Sequence, residues 1–150
     1  MEITKEIIHK KINQELSYRI KKMEYAIEIQ NENLKTASES TAGDKHNTTR
    51  ALIHLEEEKI KLQINQLLQL KLLMNKINPR EKKTKVTIGS LLKTNNGYIY
   101  IAIPFGNVEI SNLQLMVISI VSPLGKTLRN KKINESFLFK NNKWTIKEVF

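Results

Sequence analysis

The sequence predicts an α+β chain: a pair of long antiparallel helices, then a small antiparallel sheet with one short helix. Three observations carry this. Apolar residues recur at helical spacing over most of residues 1–78. A proline and a run of charge occupy 79–84. From Lys85 onward, short apolar runs alternate with turns rich in Asn, Gly and Pro, the pattern of strands. The expected organisation is a helical hairpin over 1–78 with its tip near 38–48, a linker over 79–84, and a β-rich module over 85–150.

The first helix is expected from residue 3 to about residue 41. Ile8, Ile12, Leu16, Ile20, Met23, Ile27 and Leu34 form a heptad-type seam. Lys10, Lys11, Arg19, Lys21, Lys22, Glu24 and Glu28 take the other faces. The seam thins after Leu34. The second helix is expected from Asp44 or Lys45 to about Asn78, because the residue before Pro79 avoids the α region. Its second half, from Ile60 to Ile77, is greasy on two faces. That is more than one partner helix needs, so the extra face is expected to pack on the C-terminal module or a second chain.

In the module, Val86 to Leu92 reads as a strand leading into the Asn95-Asn96-Gly97 turn, with Tyr98 to Ile103 as the return strand. Gly106-Asn107 marks another reversal. Leu113 to Ile120 is the most apolar run and is expected to be central. Ser122-Pro123 reads as an N-cap and first-turn proline of a short helix. Phe137 to Phe139, a turn at Asn141-Asn142, and Trp144 to Val149 close the sheet. A sheet this small needs support, which the base of the hairpin can supply.

Composition excludes several classes. There is no cysteine, hence no disulfide framework, cysteine nucleophile or cysteine-ligated zinc. No apolar run reaches the length of about 18 residues that a membrane span needs. The stretch Met1 to Glu6 is charged and lacks the apolar core of a secretory signal. The expectation is a cytoplasmic chain without a membrane partner or a small-molecule substrate. The net charge is +10, with most of the excess after Pro79. Such a balance suits nucleic acid or an acidic protein surface.

Ser38 to Thr48 is small, polar and turn-forming. Gly43 can take a positive φ, and Asp44 suits an N-cap as well as a partner-facing carboxylate. His46 reads as a solvated turn residue, Glu56-Glu57-Glu58 as a solvated helix face, and the module's aromatic residues as core. Nothing in the spacing brings His9 and His54 together as ligands.

Two stretches resemble the GreA/GreB transcript cleavage factors. At the tip, Gly43-Asp44 matches the Gly-Asp of the family pattern G-D-L-x-E-N-A-E-Y. In the module, Ser122-Pro123-Leu124-Gly125-Lys126-Thr127-Leu128-Arg129-Asn130-Lys131-Lys132-Ile133-Asn134-Glu135 is similar to S-P-x-(G/A)-(K/R)-A-L-x-G-K-x-x-G-D. The order of the whole chain follows the family. The resemblance implies an FKBP-like module that docks at the rim of the RNA polymerase secondary channel, and a hairpin that enters it. It further implies tip carboxylates that help hold Mg²⁺ at the polymerase active site, where backtracked RNA is cut. The chain would then be an accessory factor and not itself an enzyme, with no cofactor beyond the shared Mg²⁺, and with DNA or nascent RNA nearby. Mg²⁺ favours hard oxygen ligands.

The resemblance assigns Asp44 as the assisting carboxylate, with Glu39, Gly43, Lys45, His46 and Asn47 around it. Lys126, Arg129, Lys131 and Lys132 become the polymerase-docking residues. The chain departs from the family where the second tip acid falls on Asn47 and the later Glu-Tyr on Arg50-Ala51. The family glycines of the module fall on Asn130 and Asn134, residue types that tolerate turn conformations. The rival readings are a channel regulator that does not promote cleavage, a prolyl isomerase or chaperone, and a basic coiled-coil protein that binds nucleic acid.

Overall fold

The computed structural model describes residues 2–39 and 43–150, and the side chains of these except at 37–39 and 43–47. Two long helices, α1 (Lys5–Glu39) and α2 (Gly43–Asn75), precede a six-stranded sheet and a short helix. The chain forms two compact units, one of Met1–Asn13 with Leu72–Phe150 and one of Gln14–Lys71.

α1 starts where Thr4 caps it. The Thr4 hydroxyl accepts from the Ile7 amide at 3.3 Å, satisfying a donor that a helix start leaves open. No Gly or Pro interrupts α1. In the unit of Gln14–Lys71 the two helices run antiparallel, since Lys71 Nζ, late in α2, donates to Ser17 Oγ, early in α1, at 2.8 Å. Leu16, Ile20 and Ile60 are buried there, whereas Met23, Ile27 and Leu34 are only half-buried. α2 ends at Asn75, three residues short of the expected Asn78. The amides of Lys76 and Ile77 bond back to Leu73 and Met74, so the α-helical ladder tightens to i→i−3 bonds ahead of Pro79. Asn78-Pro79-Arg80-Glu81 then forms a β-turn, closed by the Glu81 amide on the Asn78 carbonyl at 3.2 Å.

In the other unit, the 79–84 segment is tied to the first turns of α1. Arg80 pairs with Glu6 at 3.2 Å, and the buried Lys5 amine donates to the carbonyls of Glu81 and Gly89. Burial lowers the Lys5 pKa, Lys83 lowers it further, and Glu81 opposes both.

The strands are β1 (Leu91–Thr94), β2 (Gly97–Ile101), β3 (Gly106–Ile110), β4 (Leu113–Ile118), β5 (Ser136–Phe139) and β6 (Asn142–Val149), with α3 (Pro123–Leu128) between β4 and β5. Their spatial order is β3-β4-β2-β1-β6-β5. β4 is flanked on both sides, as its apolar run predicts, but β1 and β2 form the middle pair. The sheet is not wholly antiparallel, because β2 and β4 run parallel. The expected strand from Val86 is shortened to Leu91. Gly89 takes φ 91°, and Thr87–Ser90 closes a turn there. Val86 pairs with the chain after α3 instead: its amide bonds the Lys131 carbonyl, and its carbonyl accepts from the Asn130 amide.

One face of the sheet holds the main core, in which Leu92, Ile99, Ile101 and Ile146 pack with Val86 and with Leu124 and Leu128 of α3. The pleat sends Leu91, Tyr100, Leu115, Val117 and Val108 to the other face, where they are also buried. The start of α1 lies against that face. Thr4 and Lys5 share an open recess with Leu91, Tyr98, Leu113 and Phe150. Ile8, Ile12 and Met74 of this unit are fully buried.

Tyr100 is fully buried, and its hydroxyl has no hydrogen-bond partner among the described residues. Tyr100→Phe is therefore expected to stabilise the protein by about 1 kcal/mol, since the hydroxyl is desolvated without compensation. Urea unfolding measures it. Burial also pushes the phenol up to about 12 from 10.0. A raised folded-state pKa favours the native state below pH 10 and withdraws that support as pH climbs through 12. The phenylalanine variant should lack this alkaline fall.

Candidate functional site

α3 is built by local chemistry. Ser122 is its N-cap: its hydroxyl accepts from the Gly125 amide at 3.0 Å and donates to the Ser119 carbonyl at 2.7 Å. Pro123 sits in the first turn, where its missing N–H costs nothing. Gly125 passes so close to the preceding loop that a Cβ there would lie 2.2 Å from the Ser119 carbonyl oxygen. After the helix, Asn130 and Asn134 take φ of 64° and 71°, left-handed values that Asn tolerates and most side chains do not. These two turns aim the following residues.

The expected docking residues separate on this frame. Lys126 and Arg129 are exposed beside α3. Lys131 is half-buried, its ammonium 5.6 Å from the centroid of the Phe137 ring, a cation–π contact that draws it away from solvent. Lys132 is exposed, and its backbone amide donates to the Glu135 carboxylate. Beside Arg129 opens a recess of about 590 Å³ lined by Lys83, Thr87, Ile88, Ile120, Val121 and Asn130. Ile88 and Val121 are 52% and 66% exposed, large for aliphatic side chains in a well-packed unit. The surface is thus an aliphatic floor with a basic rim.

Lys83, Ile88 and Val121 belong to this surface and are absent from the sequence expectation. Ile88 reads as a strand residue until the Gly89 turn is known. The adjacent Ile-Gly pair was the available signal.

Charge reinforces the division. Residues 1–13 with 72–150 carry 16 Lys/Arg against 6 Asp/Glu, the whole net +10, whereas 14–71 carry 9 of each. The basic character belongs to the sheet-bearing unit alone.

Gly43, Asp44, Lys45, His46 and Asn47 fall in the first turns of α2, and Glu39 ends α1. The side chains of these six lie outside the described residues. Elsewhere on α2, Glu57 is half-buried, 3.0 Å from Lys61 and 3.8 Å from His54, while Glu56 and Glu58 are exposed. This run is largely a solvated face, as its sequence suggests. His9 is half-buried, and burial lowers its pKa, favouring the neutral ring. The Phe137 and Trp144 rings stack at 6.3 Å between centroids. Among the described residues no three His, Asp or Glu side chains group as metal ligands, and no described helix is long and apolar enough to cross a membrane.

The fold and this surface define an α+β protein that joins a pair of long helices to a six-stranded sheet bearing a basic-rimmed apolar recess. No family model and no curated protein matches the chain.

Proposed function

We propose that this chain is a transcription elongation factor of the GreA/GreB type, which binds RNA polymerase through the secondary channel and promotes cleavage of backtracked transcripts. The observation that carries the reading is the pair Asn130 and Asn134, both left-handed, at the two positions where the resembled family segment has glycine. The same segment begins with the capped Ser122-Pro123 turn. Two helices of 35 and 33 residues suit a channel-entering arm at about 1.5 Å rise per residue. The basic-rimmed recess beside Arg129 is the docking face in this reading, and it suits an acidic partner surface with an apolar anchor.

The donor set at the tip fits a shared metal and not a resident one. Asp44 supplies one carboxylate, Asn47 a neutral oxygen, and Lys45, His46 and Arg50 add positive charge. A lone carboxylate completes a Mg²⁺ coordination sphere whose other ligands come from the polymerase. When bound, that Mg²⁺ supplies charge stabilisation for phosphodiester hydrolysis.

The test is transcript cleavage by a backtracked polymerase from the same source, with the native chain and Asp44→Ala. The expected result is cleavage that falls at least about tenfold in the variant, roughly 1.4 kcal/mol of transition-state stabilisation. Competition with a known cleavage factor without cleavage would make this a non-cleaving channel regulator. Absence of both effects overturns the reading.

A further inference from the structure

Both helices of the unit formed by Gln14–Lys71 carry a second apolar row, on the side away from the buried seam. On α1, Tyr18, Tyr25 and Ile29 are 63%, 63% and 40% exposed. They stand at i, i+7 and i+11, within about 20° of one line along the helix. The buried Leu16 and Ile20 lie on the opposite face. On α2, Leu52, Leu55 and Leu62 are 63%, 67% and 60% exposed, again at heptad-type spacing. The buried Ile60 faces the other way. A helix with heptad rows on two faces is built for two helical neighbours. Each of these has one neighbour within the chain.

The charges say what the second neighbour is. Lys22 lies between Tyr18 and Tyr25 in the α1 row, and Glu58 between Leu55 and Leu62 in the α2 row. When the two rows are laid antiparallel, one register places Tyr18 against Leu62, Lys22 against Glu58 and Tyr25 against Leu55. Ile29 then falls beside Leu52. The apolar residues meet and the opposite charges meet in that single register. With 9 basic and 9 acidic residues in 14–71, no net repulsion opposes contact between two such arms.

We propose that this chain self-associates through its helical arm, the Tyr18–Tyr25–Ile29 row of one copy packing antiparallel on the Leu52–Leu55–Leu62 row of another. The two surfaces differ, so the contact is heterologous, and each copy keeps one free row of each kind. Association is therefore open-ended and grows with concentration. The proposal does not rest on the polymerase reading.

Sedimentation of the full chain over a wide concentration range, up to about millimolar, tests this. The weight-average mass of the native chain is expected to rise steadily with concentration. Tyr18→Glu with Tyr25→Glu removes one row, and Leu55→Lys with Leu62→Lys removes the other. Each double variant alone should be monomeric, and an equimolar mixture should stop at a one-to-one dimer. Circular dichroism verifies that the helices persist. Should either variant unfold, Lys22→Glu and Glu58→Lys serve instead: each alone weakens association about tenfold or more, and the two in one chain restore it. A native chain that stays monomeric throughout overturns the proposal. So does self-association of either double variant alone, or a charge pair that fails to rescue.

Discussion

Gly125→Ala is expected to destabilise the sheet-bearing unit by about 3 kcal/mol, the upper range for overpacking. The added Cβ would stand 2.2 Å from the Ser119 carbonyl oxygen and 2.9 Å from Ile120 Cα, all backbone atoms. Backbone can give way only if its hydrogen bonds give way too. The Ser119 carbonyl accepts from the Ser122 amide at 3.1 Å and from the Ser122 hydroxyl at 2.7 Å, and that hydroxyl caps α3. Relief of the clash therefore undoes the cap that starts the helix. Leu124 and Leu128, carried by the same helix, would lose their seat against Ile99 and Ile101. Guanidinium unfolding followed by Trp144 fluorescence reads the loss. A cost below about 1 kcal/mol would mean that the loop yields without breaking its bonds.

Ile12→Ala is expected to cost about 3 kcal/mol, and Ile27→Ala about 1 kcal/mol or less. Both isoleucines stand on the same heptad seam of α1, but Ile12 is fully buried and Ile27 half-buried. Truncating the first leaves a cavity in the unit that holds the sheet. Truncating the second leaves a site that solvent already reaches. Urea midpoints of the two variants separate these cases, and equal midpoints would contradict the burial gradient.

That pair also shows how far the sequence could be read. Period and capping are local, so both helices, the Ser122-Pro123 start of α3 and the strand-like character after Lys85 were legible. The depth of each seam residue was not, because it depends on what lies across from it. The hairpin turns were located to within a residue or two. Asn95-Asn96 forms the first turn, and Gly97 with φ 110° opens β2. The turn after β5 is Lys140-Asn141, not Asn141-Asn142. Ser111-Asn112, with positive φ at both residues, joins β3 to β4 and was not foreseen, since Ser is not a residue that favours that conformation. Gly106-Asn107 opens β3 instead of reversing the chain. The parallel pairing of β2 with β4 was invisible because strand order is settled by long-range packing. At the candidate site, Lys126 and Arg129 were identified from motif position. The apolar floor at Ile88 and Val121 was hidden, because its exposure follows from the turn at Gly89.

The compact unit that carries the sheet is built from two separated pieces of chain, Met1–Asn13 and Leu72–Phe150. Its formation therefore closes a loop through 14–71. For a flexible loop the entropic penalty grows only as about (3/2)RT times the logarithm of its length, yet it must be met before the fully buried Ile8, Ile12 and Met74 can help hold the sheet. Pairing of α1 with α2 shortens that search, because zipping the antiparallel helices brings Asn13 and Leu72 together through neighbouring contacts. The arm is thus a folding splint as well as a binding element. Sequence changes that loosen it should slow refolding of the sheet more than they speed its unfolding.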